Sequence, residues 1–215
     1  MLKIKVNLKK IKNEDLDLIV DSLRRGKVIV YPTDTVYGIG CLAADKKTVN
    51  KVFKIKRIVP PKPLIVLIKS YCMLHELCYV SKAQEKHIRN VWPSTTRDAQ
   101  NSELKYSKQP TTFILKSKGS LPKEILGEDE SLAVRLPKND FLLRLLKKIN
   151  QPIISTSLNI TGRQPLAHLV DLDKYFKDIK PDLIIDICDI KKTKPSKIVD
   201  LRNVKANGLG ARIIR

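Results

Sequence analysis

Hydroxyl-bearing and cationic side chains lie beside several predicted strands of this chain. The segment YPTDTVYGIG, residues 31–40, begins at the end of the short apolar run VIVY at 28–31. Two threonines flank Asp34, and Gly38 and Gly40 allow another backbone to approach closely. Ligands of open sheets lie at strand ends, so the segment is either the wall of a ligand site or a tight hydrogen-bonded turn.

Four further segments carry side chains suited to an anionic ligand. The basic run KIKRIVPPKPL at 54–64 concentrates cations before a strand, which suits phosphate groups, although such a run is often a solvated face. The run ISTSLNITG at 154–162 supplies hydroxyl and amide side chains immediately after a strand. Arg135 lies inside the apolar strand AVRLP, where an unpaired cation is costly, so we expect a fixed carboxylate or a ligand beside it. Ser196 precedes another strand, in KPSKIVD.

Several common catalytic patterns are absent from the sequence. It has no Gly-rich phosphate loop, no G-x-S-x-G serine motif and no H-E-x-x-H zinc pair. The run YCMLHELC places Cys72, His75 and Cys78 near one another, but on a helix they would spread over about 120°, which makes a poor chelate. We expect the cysteines to pack as small apolar residues. A bound nucleotide must therefore be held by basic and hydroxyl side chains.

Composition narrows the class of protein. The formal net charge is +20, which favours a nucleic acid or a nucleoside triphosphate as partner, although evenly spread lysines also suit an ordinary solvated surface. Aromatic residues make up only 5%, too few for a base-stacking platform. No run approaches about 18 consecutive apolar residues, so no membrane partner is expected. Four scattered cysteines without a C-x-x-C pair favour a cytoplasmic location over a secreted disulfide scaffold.

Strand-like and helix-like segments alternate along the chain. Apolar runs predict strands at 2–8, 28–31, 64–68, 111–115, 132–136, 152–156, 183–187, 197–201 and in the terminal ARIIR. Helical spacing and caps predict helices from Asn13 (as N-cap) to Gly26, from Asp45, after Ser70, after a Ser81–Gln84 capping box, and at about 139–149 and 168–178. The polar stretch 94–109 is a predicted surface loop. Together they predict an α/β fold, a single domain over residues 1–215 built on a large, twisted, open mixed sheet with flanking helices.

Taken in order, these motifs resemble one family. PTDTVYG, K-x-K-R with KPL, W-P followed by P-T-T-F-I-L, A-V-R-x-P, S-T-S-x-N-x-[ST]-G and P-S-x-I-V-D occur in the same order in the Sua5/YrdC family. The resemblance covers roughly residues 14–215 and is to the short form, the catalytic domain alone. It implies a YrdC-like fold.

The resemblance also implies an activity, that of a threonylcarbamoyl-AMP synthase. Such an enzyme is a nucleotidyltransferase that condenses L-threonine, bicarbonate or carbon dioxide, and ATP, with Mg²⁺ as cofactor, and releases pyrophosphate. Its product feeds the t6A modification of tRNA, so tRNA or a t6A-transfer complex is an implied partner. This chemistry needs positioning and charge neutralisation more than a covalent nucleophile.

The resemblance assigns roles by position. It implies that the catalytic cations are Lys56, Lys62 and Arg57. The implied threonine-binding residues are Thr35, Thr33, Tyr37, Arg135 and Ser155. The implied nucleotide-binding residues are Lys56, Lys62, Thr112, Ser157, Asn159 and Ser196. No protein ligand for the metal is assigned.

The chain departs from the family pattern in three places. The usual K-x-R-P reads here as Lys56, Arg57, Ile58 and Val59, so either Arg57 substitutes for the family arginine or the site lacks a cation. The stretch 94–109 interrupts the usual W-P-G-P-x-T, as an insertion or as an altered pocket wall. Leu158 and Lys197 stand where a small residue and a threonine are usual.

A second function is compatible with the same fold. An RNA-binding module without synthase activity would also suit a net charge of +20. The ordered hydroxyl-rich loops favour the enzyme, because a pure binding module has no need of them.

Overall fold

The computed structural model describes residues 1–92, 109–166, 169, 172–176, 178–187, 195–205 and 209–214. The strands are β1 (Leu2–Lys5), β2 (Ile29–Pro32), β3 (Tyr37–Gly40), β4 (Ile65–Leu67), β5 (Cys78–Tyr79), β6 (Thr111–Ser117), β7 (Ser131–Arg135), β8 (Ile153–Ser157), β9 (Leu183–Asp186), β10 (Lys197–Asp200) and β11 (Arg212–Ile213). The helices are α1 (Asn13–Arg24), α2 (Lys46–Lys56), α3 (Tyr71–Leu77), α4 (Lys82–Arg89), α5 (Asp140–Ile149) and α6 (Leu172–Tyr175).

The strands form one mixed sheet, as the sequence predicts. Their order is β1-β9-β2-β3-β8-β4-β7-β6-β10-β11, and β5 pairs with β6 outside this order. The β1–β9, β9–β2, β4–β7 and β6–β10 pairs are parallel. The others are antiparallel, including both pairs made by β8. Strand β8 therefore joins the two halves of the sheet.

The two faces of the sheet carry separate hydrophobic cores. Ile29 and Tyr31 pack with α1 and α5, whereas the intervening Val30 packs with α2 and α3 on the other face. This division follows from the period of two along a strand. Helices α1 and α5 thus cover part of one face, and the rest of that face holds the cavity described below.

Two of the predicted helix caps are confirmed, and Asp45, where a helix was predicted to start, is the N-cap of α2. The side chains of Asp45 and Ser70 accept hydrogen bonds from the backbone of Thr48 and Met73, and Ser81 with Gln84 forms the capping box. The N-cap prediction at Asn13 was wrong by one residue: Lys12 is the N-cap of α1. Asn13 Oδ1 instead accepts a hydrogen bond of 3.5 Å from Arg144 of α5, which explains why its side chain does not cap the helix.

Other boundaries differ from the prediction. The first strand ends at Lys5 and a 3-10 turn follows it, Leu8–Lys10. Within the described residues the helix predicted at 168–178 is reduced to α6. Most of the predicted loop at 94–109 lies outside the described residues. Cys41 and Cys78 are buried as expected, but Cys72 is exposed, because the inward face of α3 carries Met73, Leu74 and Leu77.

Two of these thiols are held in their neutral form. Burial raises the pKa of the Cys41 thiol and raises that of Cys78 to about 12. Among the described residues, no helix has both the length and the apolar character needed to cross a bilayer.

Strands β3 and β8 approach one another most closely at Gly40. A Cβ atom at this position would lie 1.9 Å from the carbonyl oxygen of Ile154. Because the neighbour is backbone, a side chain here must displace β8 itself. Gly40 is therefore required by packing between the two halves of the sheet.

We predict that Gly40→Ala lowers the free energy of unfolding by about 2–4 kcal/mol, since overpacking forces backbone shifts. Urea denaturation measures this. The control is Gly119→Ala, at a positive φ of 77° but with open space around the new methyl group, for which we expect a loss of about 1 kcal/mol. Equal losses in the two variants would contradict the explanation.

Candidate active site

A cavity of about 330 Å³ opens on the sheet face that α1 and α5 partly cover. Ser155 of β8 and Ile65 of β4 are paired and both line it. Ile153 and Leu67, two residues along the same strands, belong to the core under α1 and α5. Side chains two residues apart share a face, so the cavity continues the surface that the helices leave uncovered.

The cavity lining is rich in hydroxyl groups. Among the described lining residues Arg135 is the single charged one. The described lining consists of Thr33, Thr35, Val36, Gly38, Pro63, Leu64, Ile65, Arg135, Ser155, Thr156, Ser157, Pro165, Pro195, Ser196 and Ile198. Such a surface offers donors and acceptors for a polar ligand and one cation for an anion.

The turn between β2 and β3 is organised by the Thr33 hydroxyl. Its Oγ1 donates to the carbonyl of Val36 at 2.6 Å and accepts from the backbone N–H groups of Thr35 at 3.1 Å and Val36 at 3.3 Å. The Thr33 and Thr35 hydroxyl oxygens lie 3.2 Å apart. The sequence allows either a hydrogen-bonded turn or the wall of a ligand site. In the structure the segment is a hydrogen-bonded turn and also forms a wall of the cavity.

Gly38 lets this turn pack against β8. A Cβ atom there would lie 2.8 Å from Cγ2 of Thr33 and 3.4 Å from Oγ of Ser155. Beneath them, burial raises the pKa of Tyr31, and a hydrogen bond with the Ser155 side chain opposes the shift. The tyrosine therefore stays protonated as a fixed part of the floor under Ser155.

Arg135 has the fixed carboxylate that its position in an apolar strand predicts. Its Nη2 lies 3.2 Å from Oδ2 of Asp34, and the two side chains are only 6% and 9% exposed. The motifs assigned no role to Asp34, because it lies between two threonines that were expected to contact the substrate. The signal for it was Arg135 itself, since a buried arginine requires a partner.

Lys56 lies beside the cavity without lining it. Its amino group donates to the carbonyl oxygens of Ser157 at 2.5 Å and Asn159 at 2.9 Å, and to Oδ1 of Asn159 at 2.9 Å. Burial lowers the pKa of Lys56 to about 8. In this structure the lysine holds the turn that follows β8, which in turn places the Ser157 side chain in the cavity.

Arg57 points away from this cavity. It ends α2 in the left-handed conformation, with φ of 54°, so its side chain leaves the helix on another side. There it lines a second cavity of about 640 Å³ with Ile58 and lies 3.9 Å from Asp178. Ile58 is 8% exposed and packs in the core. The structure therefore does not bring Arg57 or residue 58 to the hydroxyl-rich cavity.

Four other expected residues are not among the described residues that line the cavity. Lys62 is exposed, next to Pro63 of the cavity wall. Tyr37 faces the other core and donates to Oδ1 of Asp186 at 3.4 Å. Asn159 accepts from the Ser157 hydroxyl at 2.6 Å. The Thr112 hydroxyl is fully buried and has no hydrogen-bond partner among the described residues, and the structure does not expose it to the cavity.

The site is not built to chelate a metal ion by itself. In the part of the chain that the structure describes, no three His, Cys, Asp or Glu side chains come close enough to hold one. A divalent cation here would have to arrive with a ligand that supplies most of its oxygen atoms.

Comparison with known proteins identifies the family. The model of the Sua5, YciO and YrdC proteins, described as "Telomere recombination", matches residues 21–215. The chain therefore belongs to this family. A threonylcarbamoyl-AMP synthase of Pyrococcus abyssi is 30% identical over 182 residues, which are 83% of this chain and 48% of that protein. The chain thus spans about half the length of that relative.

A second relative is similar over most of its own length. A putative threonylcarbamoyl-AMP synthase of Methanocaldococcus jannaschii is 30% identical over 190 residues, which are 88% of this chain and 82% of that protein. Among solved structures, Sua5 of P. abyssi in complex with L-threonine superposes with a TM-score of 0.78 at 24% identity, covering 100% of this chain and 56% of that one. The YrdC-like fold expected from the sequence is confirmed.

We predict that Lys56→Met lowers the free energy of unfolding by about 2–4 kcal/mol, because methionine keeps the apolar stem but removes the buried ammonium group that bonds three oxygen acceptors. Urea denaturation measures the loss, and hydrogen exchange should show faster exchange at the Leu158 and Thr161 amides. The control, Arg57→Gly, removes a neighbouring cation and relieves a positive φ, so we expect unchanged or higher stability, by about 0.5–1 kcal/mol. Similar losses in both variants would contradict the structural role of Lys56.

Proposed function

We propose that this protein is a threonylcarbamoyl-AMP synthase. The observation that carries the proposal is the convergence of six hydroxyl-bearing residues on one cavity beside a buried arginine: Thr33, Thr35, Ser155, Thr156, Ser157 and Ser196. Membership of the Sua5/YciO/YrdC family and the names of its relatives support it.

The reaction balances without a covalent enzyme intermediate. The amine of L-threonine adds to carbon dioxide, derived from bicarbonate, and loses a proton to form a carbamate. A carbamate oxygen then attacks the α-phosphorus of ATP, the bond from that phosphorus to the bridging oxygen breaks, and pyrophosphate leaves. The work left for the protein is to align two reactants and to neutralise charge, which hydroxyl groups and fixed cations can do.

The residues divide by their position around the cavity. We place the threonine substrate at the β2–β3 turn, with its carboxylate near Arg135 and Ser155 and its side chain near Thr33 and Thr35. We place the nucleotide near Ser157 and Ser196, which also line the cavity. Lys56 acts through the turn after β8, by holding Ser157 in place.

Magnesium enters this proposal as part of the MgATP substrate. Phosphate oxygens and water would supply its ligands, since no carboxylate is among the described residues that line the cavity. The ion would share the charge of the triphosphate with the exposed Lys62.

The product's expected use extends the proposal to tRNA. A threonylcarbamoyl adenylate is an activated acyl donor for the t6A modification, and the net charge of +20 suits a tRNA or a tRNA-bound transfer complex as partner. The free cysteines Cys41, Cys72 and Cys78 support a cytoplasmic location.

We predict pyrophosphate release from MgATP that requires both L-threonine and bicarbonate. A coupled pyrophosphate assay with each reactant omitted in turn tests this, and mass spectrometry identifies the adenylate. Release that does not depend on threonine would contradict the proposal. Tight, steeply salt-dependent tRNA binding without MgATP binding would instead favour an RNA-binding module.

A second prediction concerns Lys62, the exposed cation at the cavity wall. Lys62→Ala should raise the KM for ATP by about tenfold, as expected for loss of a charge-assisted contact, while the KM for threonine changes little. The matched control is Lys54→Ala, an exposed lysine that lines the second cavity. Identical ATP kinetics in the two variants would rule out a phosphate contact for Lys62.

A further inference from the structure

The Asp34–Arg135 pair connects parts of the chain that are distant in sequence. Arg135 ends β7, and Asp34 lies in the turn between β2 and β3. Both side chains are nearly fully buried. In this environment an arginine without its carboxylate would be an uncompensated charge, so the pair constrains both segments strongly.

Asp34 makes a second contact with the same oxygen atom. Its Oδ2 lies 3.4 Å from the backbone nitrogen of Lys138, in the connection between β7 and α5. One carboxylate oxygen therefore accepts hydrogen bonds from the end of β7 and from the segment after it. The turn that carries Asp34 is fixed against both.

The residues on either side of Asp34 show which part of the cavity its contacts hold in place. Thr33 and Thr35 line the cavity, as Arg135 does, whereas Asp34 is not among the described lining residues. The Thr33 hydroxyl donates to the Val36 carbonyl across the turn, so the turn is internally bonded and has a fixed shape. The separation of its hydroxyl groups from the Arg135 guanidinium is thus set by the Asp34 carboxylate.

We propose that Asp34 is a positioning residue for the amino-acid substrate. It holds the Arg135 guanidinium, which binds the substrate carboxylate, in register with the Thr33–Thr35 turn, which contacts the substrate side chain. A guanidinium has five N–H donors, so it can bond to Asp34 and to a ligand carboxylate together. This inference rests on the proposed function and adds to it a determinant of threonine selectivity.

The test compares Asp34→Ala and Asp34→Asn with Asp17→Ala. Asp17 is a matched control because its carboxylate also pairs with a cation, Lys148 at 2.6 Å, but is 56% exposed and is not among the described residues that line the cavity. Each protein is assayed below its unfolding temperature for the KM of threonine, the KM of ATP and the ratio of kcat/KM for threonine over serine. Threonine binding is also measured directly by calorimetry.

We expect Asp34→Ala to raise the KM for threonine by about tenfold or more, with the KM for ATP within about twofold of wild type. The preference for threonine over serine should fall, because the turn loses its fixed distance from Arg135. Asp34→Asn should fall between wild type and Asp34→Ala, since its amide oxygen still accepts the hydrogen bonds but carries no charge. Asp17→Ala should match wild type.

Three outcomes would overturn the inference. One is unchanged threonine kinetics and selectivity in Asp34→Ala. Another is equal increases in both KM values, which would indicate a general loss of structure. If Asp34→Ala does not fold, wild-type threonine kinetics and selectivity in Asp34→Asn would have the same meaning. Should wild type bind threonine but release no pyrophosphate, the proposed function fails, and threonine affinity in the Asp34 variants still decides the role of Asp34.

Discussion

The site depends on one strand, β8, which pairs antiparallel with β3 on one side and β4 on the other and so joins the two halves of the sheet. This join requires Gly40, whose bare Cα lies against the Ile154 carbonyl. Strand β8 also determines where the cavity lies, because it carries Ser155 and Ser157, which line the cavity. The cavity is therefore a stretch of uncovered sheet face, rather than a crevice at the ends of parallel strands.

Burial of cations is the second constraint. Lys56 and Arg135 are both buried, and each is neutralised or solvated by oxygen atoms of the protein: carbonyl and amide oxygens for the lysine, a carboxylate for the arginine. Each buried charge is in contact with oxygen atoms of the protein, and the main effect of these contacts is to fix geometry. Lys56 fixes the wall that follows β8, and Arg135 fixes the turn after β2. The two walls of the cavity are thus held by separate polar contacts.

The sequence predicted the mixed sheet and most caps, because apolar periodicity and capping chemistry are local signals. Of the residues that the family resemblance assigns to a site, the structure brings six to one cavity: Thr33, Thr35, Arg135, Ser155, Ser157 and Ser196. The sequence could not show that the Lys56 and Arg57 side chains point in different directions, because the two residues are neighbours with the same charge. The direction of each side chain depends on where α2 ends. Lys56 is the last helical residue and points inward, whereas Arg57 turns away in the left-handed conformation. That ending is set by tertiary contacts, including the Thr161 amide bonded to the Lys56 carbonyl.

The position of Ile58 explains how the chain accommodates its departure from the family pattern. A cation at 58 would lie in the apolar core that Ile58 fills, so this segment is built around the isoleucine and does not leave a vacant cationic position. Arg57 is not among the described residues that line the hydroxyl-rich cavity; it lines the second cavity, near Asp178. In the proposed reaction, neutralisation of the triphosphate therefore falls to magnesium and Lys62. Arg135 is already balanced by Asp34, which suits it to a single carboxylate better than to a polyphosphate.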